Sequence, residues 1–127
     1  MKVIKKEYHI MAPQGAVWDA LVNPKIIQRW HGGPAKMSAK VGSKFSLWGG
    51  DIWGKNIKVT PNQELVQEWY GGDWDKPSVA SFKLTHKDGC TTLYLTHSEV
   101  PEKEFDSIDQ GWDEYYLGEI KELLEKG

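Results

Sequence analysis

The stretch WGGDIWGKN, Trp48 to Asn56, holds Gly49 and Gly54-Lys55 at the G-x-x-x-x-G-K spacing of a phosphate-binding loop. Such a loop runs from a strand into a helix N-terminus, where free N–H groups meet the anion, and follows its lysine with a hydroxyl that holds magnesium. Here NIKVTP follows, a strand pattern that stops at proline, and the position after Lys55 is Asn56. The nucleotide reading fails on both counts. His97, in YLTHSEV, is the next group with chemical potential, with Glu99 two residues on and Glu119 in the C-terminal segment as the acids that could pair with it. No Cys, His or carboxylate stands near His97 at metal-site spacing. Deaminase chemistry would need a P-C-x-x-C segment, and a serine nucleophile elbow would need G-x-S-x-G; neither occurs. Cys90, in the turn KDGCTT, has no histidine nearby in sequence to activate it. No catalytic residue, metal or cofactor is therefore assigned, and an enzyme is the less favoured reading.

Composition narrows the class. A chain of 127 residues is expected to form one domain, residues 1–127. Its net charge of −2 gives no electrostatic case for nucleic acid or an anionic membrane. No apolar run approaches a membrane span, so no membrane insertion is expected. One cysteine excludes an intramolecular disulfide and suits a reducing cytoplasm. The unusual feature is seven Trp, which ask for a spacious interior or a binding surface.

Periodicity supplies the elements. Val3 to Ile10 alternates as a strand, with Ile4, Tyr8 and Ile10 at even spacing. APQGAVWDALV and NPKIIQRW read as two short helices, each opened by a proline, with Asn23 able to cap the second. Strand patterns and turns then alternate until Pro101, after which Ile108, Trp112, Tyr115, Tyr116, Ile120 and Leu123 lie along one side of a long helix. Short connections imply an antiparallel meander, and the helix must cover one face of it. The covered set is predicted to be Phe45, Leu47, Leu65, Trp69, Ala80, Phe82, Leu84, Leu93 and Leu95. The same parity turns Gln67 and His97 inward, where Gln67 must bond His97 or backbone, or line a polar patch in a cavity. Gly49-Gly50 is expected to make a tight hairpin turn, with a bulge near Gly54 restoring the parity of Ile57 and Val59.

APQGAVWDALVNPKIIQRWHGGP resembles the A-P-x-x-V-W-x-A-L-x-x-P start of SRPBCC, or birch-pollen-allergen-like, domains, the START-like superfamily. VTPNQELVQEW and the G-W-x-x-Y-Y segment after Val100-Pro101 are similar to the activator of heat-shock-protein-90 ATPase homologue family. The resemblance implies an α+β helix-grip fold: about six antiparallel strands in a curved sheet wrapped around the C-terminal helix, often with an apolar cavity between. It also implies a possible heat-shock chaperone partner and a role in the stress response. The activator's separate N-terminal domain, which stimulates the ATPase, has no counterpart in these residues.

The leading expectation is thus a cytoplasmic module binding an apolar or aromatic small molecule between sheet and helix. Trp69, Phe82, Leu95, Trp112 and Tyr116 would form its walls, with Gln67 and His97 as polar anchors; His97→Leu should keep the fold and weaken ligand binding. Gly111 would let the helix approach closely, and Glu119 would reach a solvent-facing rim. Trp74, in the loop GGDWDKP, would be a lip over the mouth or a partner contact. The alternatives are a co-chaperone-like interaction domain and a cavity enzyme of cyclase or hydrolase type.

Overall fold

A computed structural model describes residues 2–126. Strand β1 (Lys2–Ile10) leads into helices α1 (Gln14–Val22) and α2 (Pro24–Arg29). Asn23 caps α2 by accepting from the Lys25 N–H, as its position before Pro24 predicts. Strands β2 (Lys44–Leu47), β3 (Ile52–Thr60), β4 (Glu64–Gly71), β5 (Ser78–Lys87) and β6 (Cys90–Val100) form the meander. β1 closes on β6, so the antiparallel sheet runs β1-β6-β5-β4-β3-β2. The C-terminal helix is α3 (Phe105–Gly111), a wide turn (Trp112–Tyr116) and α4 (Leu117–Lys126) in succession.

All nine residues predicted to face the helix are buried. Alternation fails at three places, each for a local reason. β2 and β3 are joined through residues 48–51 rather than a two-residue turn, with Trp48, Gly49 and Gly50 all at positive φ; Leu47 still pairs with Ile52. The bulge in β3 lies at Ile57, between the pairs Asn56–Gln67 and Lys58–Val66. It returns Val59 to the inner face opposite Leu65, leaves Ile57 exposed, and buries Asn56. Gly54 serves a different need: a Cβ there would lie 1.9 Å from the Glu68 carbonyl oxygen, so only glycine permits this strand approach. In β6, Glu99 takes φ +61° and turns to solvent, and Val100 fills the next inward place. Glu99 therefore does not share the face of His97.

The wide helical turn corrects the helix face. The Leu117 N–H donates to the Trp112 carbonyl, five residues back, so the turn holds one residue more than an α-turn. Trp112, Tyr116, Leu117 and Ile120 face the core, while Tyr115, expected beside them, is 62% exposed. Gly111, expected to let the helix approach closely, has no such contact, the nearest atom to a Cβ there being 4.0 Å away. Gly118 instead serves the wide turn itself, since a Cβ there would meet the Asp113 carbonyl oxygen of the same helix at 1.8 Å. Lys6 reaches Asp113 at 2.8 Å and Asp109 at 3.1 Å, and the Tyr8 hydroxyl donates to Asp113, which ties this turn to β1. Burial works against ionisation of Asp113, but the Lys6 and Tyr8 hydrogen bonds hold its carboxyl below the usual range.

Candidate functional site

Behind the middle of the helix lies a closed polar hub. Trp112 Nε1 can only donate, and it does so to His97 Nδ1 at 3.0 Å. The His97 proton must therefore sit on Nε2, which faces Ser78 Oγ at 2.7 Å. Ser78 in turn donates to the Trp69 carbonyl at 2.6 Å. Three hydrogen bonds thus run in one direction, and both imidazole nitrogens are engaged. Burial pushes the His97 pKa down to about 3, and a second ring proton would point at the Trp112 N–H. Neither acid proposed as a catalytic partner is in this hub. Glu99 faces solvent, and Glu119 bonds His31 Nδ1 at 3.1 Å on the surface.

Gln67 belongs to another cluster. Its Nε2 donates to Asn56 Oδ1 at 3.0 Å and approaches the Met37 sulfur at 3.7 Å. Asn56 Nδ2 donates to the Ser38 carbonyl at 2.8 Å, pinning the segment before β2. Gln67 Oε1 is buried with no partner among the described residues. Of the alternatives open to Gln67, the contact with His97 does not form, because Ala80 stands between them in register and the amide turns toward Asn56.

A pocket of about 470 Å³ opens between the β2–β3 turn and the helix. Trp69, Trp112 and Tyr116 are the predicted residues that line it. Phe82 and Leu95 are buried behind them, with Phe82 edge-on to Trp112 at 5.7 Å. His97 and Gln67 are absent from the lining, so neither presents a polar atom to it. Their place is taken by Asp51 and Ser107, which pattern reading missed along with Trp48. Trp48 donates from Nε1 to the His31 carbonyl at 2.8 Å and stands edge-on to Tyr116. Trp69 Nε1 is buried with no partner among the described residues. Trp74 folds back on Trp69, centroids 6.0 Å apart, and covers Gly71 rather than the pocket. Cys90 is a free, half-buried thiol at the β5–β6 turn. Among the described residues no cluster could hold a metal ion, and no helix is long and apolar enough to cross a membrane.

The family model described as activator of Hsp90 ATPase homolog 1-like protein matches residues 11–125. The chain belongs to this family. An activator of 90 kDa heat shock protein ATPase homolog from Dictyostelium discoideum is 29% identical over 121 residues, covering 93% of this chain and 31% of that protein. The Hsp90 co-chaperone AHA1 of Saccharomyces cerevisiae is 24% identical, over 86% of this chain and 33% of its own length. The chain thus spans about a third of these curated relatives. A crystal structure of an HSP90 activator from Plasmodium falciparum superposes with a TM-score of 0.90 at 25% identity, covering 98% of this chain and 97% of the other. The helix-grip architecture agrees with that likeness: six antiparallel strands, two short helices after the first, and the long C-terminal helix.

Proposed function

We propose that residues 1–127 act as one cytoplasmic domain that binds an apolar or aromatic small molecule in the pocket beside the C-terminal helix. The observation that carries this reading is the pocket itself. Its volume of about 470 Å³ lies in the range of small-molecule sites, and its walls are mainly indole and phenol rings with a few polar groups at the edge. Trp69, Trp112 and Tyr116 form the wall, Phe82 and Leu95 support it, and His97 acts from behind by fixing the Trp112 indole. The test is a nitrogen–proton correlation spectrum of labelled protein titrated with lipids and aromatic metabolites. Saturable shifts at the Trp69 and Trp112 indole N–H signals are expected. Silence at both, in a well-dispersed spectrum, would overturn the reading.

A second reading is contact with a heat-shock chaperone. Family membership favours it, as do the relatives named as Hsp90 activators and co-chaperones. Titration with the chaperone and measurement of its ATP turnover test it; no binding and unchanged turnover would remove it. A cyclase or hydrolase reading has no acid–base pair around His97 to rest on, since both nitrogens are engaged by Trp112 and Ser78.

A further inference from the structure

The pocket offers rings and one carboxylate, and no cation. Trp48 stands at 76° to Tyr116 with centroids 5.8 Å apart, so the aromatic wall turns a corner there. Tyr116 continues into Trp112 at 4.6 Å, and Trp112 into Trp69 at 5.5 Å. Each ring face carries negative potential and attracts a cation placed within about 6 Å of its centroid. Asp51 is the one acid among the lining residues, and no Lys, Arg or His lines the pocket. Its backbone is held at both ends, since its N–H donates to the Trp48 carbonyl at 3.4 Å and its carbonyl accepts from the Gly72 N–H at 2.8 Å. Among the described residues its side chain makes no ion pair. The helical residues that line the pocket, Ser107, Ile108, Gly111, Trp112, Tyr115 and Tyr116, add no charge of either sign, so Asp51 sets the field there.

This charge pattern selects among apolar ligands. An anion would give up its water and meet no cation, whereas a cation gains the ring faces and the Asp51 carboxylate, which a neutral molecule does not. We propose that the pocket takes an organic cation: an ammonium group on an aliphatic or aromatic body, its charge ringed by Trp48, Tyr116 and Trp112 and facing Asp51. The inference rests on the pocket being the binding site, and it adds the charge of the ligand.

The full chain is titrated with benzyltrimethylammonium, with its neutral isostere neopentylbenzene, and with phenylacetate, reading all seven indole N–H signals. The cation is expected to shift Trp48, Trp69 and Trp112 and to bind about tenfold more tightly than the isostere, with no shift from phenylacetate. Asp51 is exposed, so Asp51→Asn should fold normally, weaken the cation about three- to tenfold and leave the isostere unchanged. An isostere or phenylacetate that binds as tightly as the cation would overturn the charge preference while leaving the pocket reading intact. No change in Asp51→Asn would remove the carboxylate from the site. Silence from all three probes would remove the inference, and the pocket reading would fall with it only if the lipid and metabolite panel were silent too.

Discussion

His97 and Gln67 stand in one row of the sheet, on β6 and β4, with Ala80 of β5 between them. Both are fully buried polar side chains on the helix-facing side, yet their surroundings differ. The His97 hub is complete: indole, imidazole, hydroxyl and carbonyl each meet a partner, and the chain of bonds reaches two pocket walls. The Gln67 cluster is incomplete, because Oε1 has no partner and the pair serves to pin a loop. Parity decides which face a side chain takes; it does not decide which neighbour it meets. The hub therefore belongs to the architecture of the pocket, and the amide pair to the closing of the sheet's far end.

The most damaging way to break the hub is Trp112→Ala. It empties a buried indole site against Phe82, Trp69 and Tyr116 and also strands His97 Nδ1. A loss of about 3–5 kcal/mol is expected from denaturant unfolding. A near-neutral result would mean that the wide helical turn is not packed on the sheet as described.

His97→Leu comes next, and the fold should survive it at a moderate cost. A lone buried histidine could be replaced by leucine at little cost, but this one accepts the Trp112 N–H. Ser78 keeps its bond to the Trp69 carbonyl, so one buried donor is stranded, at a cost of about 1–3 kcal/mol. The Trp112 indole signal should also broaden or move. Unchanged stability and an unmoved signal would show that the hub does not hold the indole.

What could be read in advance follows the same division. The nine core residues, the two short helices and the long C-terminal helix follow from periodicity, because burial of one face sets that periodicity directly. Asn56 was missed because the bulge sits at Ile57 rather than near Gly54, and one residue of displacement exchanges the faces. Tyr115 was misplaced because a regular helix was assumed where a wide turn occurs. Trp48 and Asp51 lie in a turn of positive-φ residues, where alternation predicts nothing. The closely spaced signal WGGD held the relevant residues, but their meeting with the helix depends on the tertiary fold. The wall of the site was legible on strands and helix, and the mouth was not.

Acid titration separates the two clusters more gently. His97 has a native pKa of about 3 against an ordinary value near 6.5, so between these values the unfolded chain binds a proton that the native chain refuses. The stability contributed by neutral His97 is fully present above about pH 6.5 and is lost as pH falls toward about 3. The slope from this one group is at most about 1.4 kcal/mol per pH unit. Unfolding measured between about pH 5 and about pH 6.5, above the ordinary carboxylate range, should fall with pH in the parent and less steeply in His97→Leu. Parallel slopes would mean that another group carries the dependence. The Gln67 amides do not titrate, so changes there should leave the slope alone.

The smallest effect is expected at Gln67→Leu, and its smallness is informative. The substitution removes one unpartnered acceptor, Gln67 Oε1, and creates another by freeing Asn56 Oδ1. It also exchanges the Met37 sulfur contact for an apolar one. These changes oppose each other, so stability should stay within about 1 kcal/mol of the parent, and the Trp69 and Trp112 signals should not move. A loss well above that, with those indoles still in place, would mean that Gln67 Oε1 holds a bridging water and that this cluster is as complete as the hub. Movement of the indoles would instead join the two clusters into one network across Ala80. The contrast between a hub that shapes the pocket and a pair that pins a loop would then fail.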